Sequence, residues 1–226
     1  MIPRFSLHHG DCTAILATLP SGSVDLVVTD PPYVENFRDR QGRRIRTVGG
    51  MDWIEPAYAE LFRVLKPDSF CLSFYGWPFI DRFMAAWKAA GFRPVGHLFW
   101  EKPYTSSVGY VSARHEEAFL LAKGDPARPA KPLPDVLPWE YSGNPLHPTQ
   151  KAVSVIQPLV ETFSQRGDLV LDPFMGSGTT GLACARLDRR FVGIELDETY
   201  HRAAERRIED AYRRADLIHL RVAVAS

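Results

Sequence analysis

The segment Asp172-Pro173-Phe174-Met175-Gly176-Ser177-Gly178-Thr179-Thr180 follows the short apolar run 168–172 and opens a helix-like stretch at 178–188. A strand passing through a glycine turn straight into a helix is the unit of a parallel α/β sheet that holds a nucleotide-like ligand at its C-terminal edge. Glycines at 176 and 178 remove the β-carbons that would keep a ligand off the backbone. The next strand-like run, 190–196, carries Glu195, 19 residues beyond Gly176. An acid at that spacing, at the tip of the second strand, is where ribose hydroxyls are gripped. A phosphate loop would end in Gly-Lys-Ser/Thr, but Gly178 is followed by Thr179-Thr180; a dinucleotide fingerprint would add a third glycine.

The remaining chain alternates in the same way. Residues 24–29, 70–75, 168–172 and 190–196 read as buried strands. Helical spacing runs over 52–65 through Ile54, Tyr58, Leu61, Phe62 and Leu65, with a stop at Pro67. Further helices are predicted at 78–90, 149–164, 178–188 and 197–215. Residues 96–101 and 116–122 read as an antiparallel pair near a sheet edge. Two stretches carry no regular pattern: 34–51, and 125–148, where seven prolines preclude it.

At 226 residues the expectation is one domain with insertions. No apolar run reaches the roughly 18 residues of a membrane span, and the first residues do not read as a secretory signal. Three scattered cysteines, Cys12, Cys71 and Cys184, fit neither a disulfide framework nor a zinc spacing. The chain is therefore expected to be cytoplasmic and metal-free. Its 27 Lys+Arg balance 27 Asp+Glu, which argues against a wholly basic binding surface but leaves room for a local patch. Arg38, Arg40, Arg43, Arg44 and Arg46 form such a patch, with Asp39 as the one acid among them.

Asp30-Pro31-Pro32-Tyr33 closes the strand 24–29. Two prolines stiffen the turn, so that the Asp30 carboxylate and the Pro31 carbonyl project as fixed acceptors beside the flat face of Tyr33. Two acceptors and an aromatic plate suit an exocyclic amino group on a planar base. A rigid structural turn is the plainer reading of the same residues.

Together, Asp30-Pro-Pro-Tyr33 and Asp172-Pro-Phe-Met-Gly-Ser-Gly-Thr-Thr180 resemble the S-adenosylmethionine-dependent DNA amino-methyltransferases. The catalytic turn precedes the cofactor turn, which resembles the circularly permuted beta class. Gly10-Asp11-Cys12 is similar to the segment that binds the cofactor's adenine. Trp100-Glu-Lys102 with His115-Glu116 resembles the wall of the target-base pocket. Asn144-Pro-Leu-His147-Pro-Thr149-Gln-Lys151 resembles the segment closing over the methionine part, although the family's next residue is usually proline and here is Ala152. The likeness runs from about residue 5 to about residue 210.

The resemblance implies a Rossmann-like α/β methyltransferase fold over 1–226: a mixed seven-stranded sheet with one antiparallel edge hairpin. The insertions 34–51 and 125–143 would be the target-recognition and DNA-contact loops. It implies methyl transfer from S-adenosylmethionine, leaving S-adenosylhomocysteine, to the N6 amino group of an adenine flipped out of double-stranded DNA. Asp30, Pro31, Pro32 and Tyr33 would be catalytic. Asp11 and Cys12 would meet the cofactor adenine and Glu195 its ribose. Phe174, Gly176, Ser177, Gly178 and Thr179 would line the methionine moiety, with Thr149 and Lys151 at its carboxylate and Asp172 at its ammonium group. The five arginines, Trp100 and Lys102 would contact DNA. A homodimer and a cognate restriction enzyme accord with the resemblance. The alternatives are N4-cytosine methylation, an RNA adenine substrate and a non-catalytic cofactor-binding subunit.

Overall fold

The alternation resolves, in a computed structural model describing residues 3–32, 51–144 and 146–225, into a three-layer α/β arrangement. One sheet contains, in spatial order, β1 (Phe5–His9), β10 (Arg190–Glu195), β9 (Leu169–Asp172), β2 (Val24–Thr29), β3 (Leu65–Phe74), β7 (His115–Lys123), β4 (Arg93–Glu101) and β8 (Val136–Pro138). From β1 to β3 all neighbours are parallel; β7 runs antiparallel to both β3 and β4, and β8 is parallel to β4.

The central strands are apolar on both sides because both sides are covered. In β2, Val24 and Val27 face one core and Leu26 and Val28 the other. Helices α1 (Cys12–Leu16), α2 (Ile54–Val64) and α3 (Ile80–Ala90) cover the first face. The stripe Ile54, Tyr58, Leu61 of α2 packs there against Phe83 and Trp87 of α3. Helices α4 (Val153–Phe163), α5 (Thr179–Arg186) and α6 (Glu198–Ala225) cover the second face, with Leu159, Cys184 and Ile208 wholly buried.

Several expectations change in detail. The main sheet has eight strands, not seven. The added β8 lies inside the proline-rich stretch expected to be irregular. It is a three-residue edge strand, where Pro138's missing N–H costs nothing; Phe99 N donates to the Asp135 carbonyl at 2.7 Å and Trp139 N to the Glu101 carbonyl at 3.3 Å. The antiparallel pair β4–β7 is present, but β7 lies inside the sheet and β8 covers β4. Helix α2 stops at Val64 rather than near Pro67, because Leu65 is already extended. A register shift against β2 accommodates Lys66-Pro67, with Asp68 at φ 54°. Helix α4 begins at Val153: Ala152 sits at φ −67°, ψ 149°, the conformation a proline would impose, so its replacement of the usual proline leaves the path intact.

The connections fix where a ligand can sit. From β9 the chain moves through α5 to β10 on one side; from β2 it moves through α2 to β3 on the other. The boundary between β9 and β2 is therefore a topological switch point, and a crevice opens at the C-terminal ends of strands there. The Asp30 turn and the Asp172 turn flank that crevice.

Candidate active site

Strand β2 delivers Asp30 to the crevice. Its Oδ2 accepts a hydrogen bond from Lys151 Nζ, while its Oδ1 is buried with no partner among the described residues. Burial pushes the Asp30 carboxyl above the usual carboxylate range, the Lys151 ammonium opposes this, and Glu116 adds to the upward push. Lys151 is itself buried, and its Nζ lies 4.2 Å from the centroid of the Phe74 ring. Pro31 is buried and Pro32 half-buried. Tyr33 and the five arginines Arg38, Arg40, Arg43, Arg44 and Arg46 lie outside the described residues.

Strand β9 delivers Asp172. Its Oδ1 accepts from Phe174 N at 3.1 Å and its Oδ2 from Thr180 Oγ1 at 2.6 Å. Burial, with smaller contributions from Asp30 and Glu195, pushes the Asp172 carboxyl up to about 7. At the tip of β10, Glu195 Oε2 accepts from Gly176 N at 2.9 Å and Oε1 from Asp197 N at 2.8 Å. Each of those oxygens keeps a further acceptor direction. Asp30 and Glu195 both lie within electrostatic reach of Asp172, so the three acids share one end of the sheet.

The glycines serve different ends. Gly178 caps α5 at φ +84°, and a β-carbon there would lie 2.8 Å from Ile208 Cδ1; its smallness lets α6 approach. Gly176, at φ +51°, faces the His147 ring, 3.5 Å from where a β-carbon would stand. Ser177 is buried and its carbonyl accepts from Arg207. Phe174 is half-buried with its ring edge-on to Trp53 at 5.0 Å. Thr179 Oγ1 donates to the Lys151 carbonyl at 3.0 Å, tying the segment before α4 to the glycine turn.

Gly10 N donates to the Glu195 carbonyl at 2.9 Å, which sets the Asp11 turn beside the Glu195 tip. Asp11 is exposed and caps α1 by accepting from Ala14 N at 3.0 Å. The Cys12 thiol is buried and pushed up to about 11, mainly by desolvation, so it is not a thiolate nucleophile at neutral pH. Thr149 N and Oγ1 both lie 3.3 Å from His147 Nδ1.

The fold thus gathers Asp11, Asp30, Lys151, Asp172, Thr179 and Glu195 along one sheet edge. Three of the expected site residues are engaged within the protein. Lys151, expected at a ligand carboxylate, is bonded to Asp30. Trp100, expected at DNA, is 1% exposed, and its ring stacks on Phe74 at 5.0 Å; it forms the wall behind the Lys151–Phe74 contact. Lys102, also expected at DNA, is buried in an ion pair with Glu116, with its Nζ 5.4 Å from the Trp139 ring centroid. Phe74 was legible only as a strand residue, since nothing local marks it as the plate beneath a lysine 77 positions away. No cluster of metal-ligating side chains occurs among the described residues, and no helix there is long and apolar enough to cross a membrane.

Residues 24–206 match the N6/N4 methyltransferase family model, described as DNA methylase. The chain is 56% identical over 199 residues to YubD of Escherichia coli (strain K12), provisionally named a methylase, covering 88% of each chain. Among solved structures, M1.HpyAVI in complex with SAM matches at a TM-score of 0.71 and 26% identity, over 90% of this chain and 98% of that one. The cytosine-N4-specific PvuII DNA methyltransferase matches at a TM-score of 0.73 over 93% of this chain and 92% of that one; at 21% identity the likeness is one of fold alone. A family match spanning most of the chain, together with the identity to YubD, shows that the chain belongs to the N6/N4 DNA methylase family.

Proposed function

We propose that this DNA methyltransferase acts on the N6 amino group of an adenine flipped out of double-stranded DNA, at a defined site, with S-adenosylmethionine as methyl donor. The observation that carries the reading is Asp30 Oδ1: a buried carboxylate oxygen, unpartnered among the described residues, at the end of β2. A buried acceptor without a donor is costly, and an amino hydrogen supplied by substrate would satisfy it.

The amine of adenine is a poor nucleophile because its lone pair is delocalised into the ring. Asp30 Oδ1 and the Pro31 carbonyl would each accept one N–H, holding the nitrogen so that its lone pair points at the donor. Lys151 would keep Asp30 ionised and turn Oδ2 away, leaving Oδ1 for substrate. Tyr33 would stack on the flipped base. Positioning and electrostatics then supply most of the acceleration.

The crevice fits the cofactor. Glu195 has acceptor capacity left for ribose hydroxyls, Asp11 lies beside it for the adenine end, and the buried Asp172 would meet the cofactor's ammonium group. When bound, S-adenosylmethionine supplies a sulfonium-activated methyl group and leaves as S-adenosylhomocysteine. The order of turns, Asp30 before Asp172 along the chain yet adjacent in the sheet, supports the permuted arrangement.

The five arginines between 38 and 46 would hold phosphates around the flipped nucleotide, with 34–51 and 125–143 as the recognition loops of a single domain. We read the protein as cytoplasmic, and a homodimer and a cognate restriction enzyme are the partners that the family resemblance allows. Light scattering of the DNA complex at one chain per duplex would refute the dimer, and the same target remaining uncut in cells lacking the methylase would refute the pairing.

The reading is tested with Asp30→Ala. It is expected to bind S-adenosylmethionine normally and to lose methyl transfer by about 10²–10⁴-fold. Near-full turnover would overturn the assignment. The cytosine-N4 alternative shares this acceptor geometry; the aspartate at position 30, where enzymes of that type usually carry serine, favours adenine.

A further inference from the structure

Between β4 and β7 the chain does not simply turn. The ladder continues past the sheet edge: Lys102 N donates to the Arg114 carbonyl at 2.7 Å and Ser106 N to the Ala113 carbonyl at 2.8 Å. Two short strands, β5 (Ser107–Val108) and β6 (Ser112–Ala113), then pair antiparallel around Gly109-Tyr110-Val111. This finger leaves the edge that carries Asp30, since Thr29 pairs with Ser73, Phe74 with Ala118, and Glu101 with His115.

Its construction divides into a braced stalk and an apolar tip. At the stalk, the Trp139 Nε1–H donates to the Tyr104 hydroxyl at 3.2 Å, and the Tyr104 and Tyr141 rings meet edge-on at 5.9 Å. At the tip, Tyr110 is fully exposed, Val108 is 79% exposed and Val111 76%, the three most exposed large hydrophobic residues among those described. Residues 102–114 include Lys102 and Arg114 but no acid. A two-stranded ribbon is marginal by itself in water, so holding one out with an apolar tip indicates a partner for that tip.

We propose that the finger is a wedge for duplex DNA: Tyr110, flanked by Val108 and Val111, enters the base stack beside the target and fills the space left when the base swings out. The inference rests on the DNA reading above and adds to it the element that stabilises the opened duplex. Apolar side chains inserted between base steps are a general means of stabilising unstacked DNA, and the absence of acid along the finger lets it approach phosphates without repulsion. Tyr110 is a positioning residue here, since it touches the duplex and not the reacting atoms.

The test uses the full-length protein and two probes: the duplex oligonucleotide it methylates best, and the same duplex with the base opposite the methylated one removed. Missing pairing lowers the cost of flipping and makes the wedge dispensable. Tyr110→Ala is expected to methylate the intact duplex at least about tenfold more slowly than wild type, to approach wild type on the abasic duplex, and to bind S-adenosylmethionine unchanged. Tyr110→Phe is expected to retain the wild-type rate on both, because stacking needs the ring and not the hydroxyl. Full exposure of Tyr110 means that these variants remove no packing from the core, and thermal melts check that they fold. Equal rates for Tyr110→Ala and wild type on the intact duplex would overturn the proposal, as would an equal loss on both probes. A changed oligomeric state with an unchanged rate would overturn it too and reassign the tip to a second copy of the chain. Failure of the wild type to methylate any duplex DNA, so that no such probe can be chosen, would instead sink the DNA reading on which the proposal rests.

Discussion

Lys151→Met separates two roles for the lysine beside Asp30. The substitution keeps volume and leaves the contact with Phe74 apolar, but removes the ammonium that Asp30 Oδ2 accepts from. What remains around Asp30 is burial and Glu116, and both push its carboxyl upward. The folded variant therefore keeps a proton on Asp30 to higher pH than wild type does, and a protonated carboxyl is a poorer acceptor for an amino hydrogen. A charge-assisted hydrogen bond contributes ~1.5–3 kcal/mol, which corresponds to a roughly 10- to 150-fold slower transfer at neutral pH. The rate should recover as pH is raised, because Asp30 then ionises without help, and Lys151→Arg should retain most activity by keeping the charge. The assay is methyl transfer to DNA as a function of pH across neutrality, with S-adenosylmethionine affinity measured alongside. A loss that is constant across pH and accompanied by weaker cofactor binding would refute this reasoning and return Lys151 to the cofactor carboxylate.

Three further outcomes follow from the same geometry. Asp172 is pushed up to about 7 in the folded chain, against ~3.9 for an unperturbed aspartate. The cofactor-free protein should thus lose stability as pH rises from about 4 towards 7; thermal melts of Asp172→Asn should show a flatter dependence, and an identical slope would exclude Asp172 as its source. Gly178→Ala places a β-carbon 2.8 Å from Ile208 Cδ1 at φ +84°, which should destabilise by about 1–3 kcal/mol through overpacking, read as a lower Tm; an unchanged Tm would show that α6 yields without cost. Replacing Arg38, Arg40, Arg43, Arg44 and Arg46 together should flatten the salt dependence of DNA binding by about 0.9 in log–log slope for each phosphate no longer neutralised, and an unaltered slope would remove them from the interface.

Local chemistry carried much of the fold in the sequence. The bounds 24–29 are those of β2, since a run apolar on both faces between a glycine-serine turn and Asp-Pro-Pro has little choice of structure. The strand–glycine–helix unit at 169–186 was equally legible. What failed to show was set by distance or by small size. β8 hides among prolines because three residues at an edge need few donors of their own. The finger at 107–113 is too short and too polar at its base for any periodicity to register. Lys151 and Asp30 are 121 residues apart, and only the meeting of α4's leading segment with the end of β2 makes them a pair. Trp100 looks the same in sequence whether it lines a pocket or a core; its partner Phe74 decides. Gly178 stands out in the sequence as a glycine of the turn, while the neighbour that leaves no room for a β-carbon there, Ile208 of α6, lies 30 residues on.

The most direct test of the central claim is the product itself. Purified protein is incubated with labelled S-adenosylmethionine and unmethylated DNA, and the DNA is digested to nucleosides and separated. The account predicts label in N6-methyladenine. Label in N4-methylcytosine would leave the acceptor geometry of Asp30 standing but contradict the adenine assignment, and label in RNA but never in DNA would contradict the substrate.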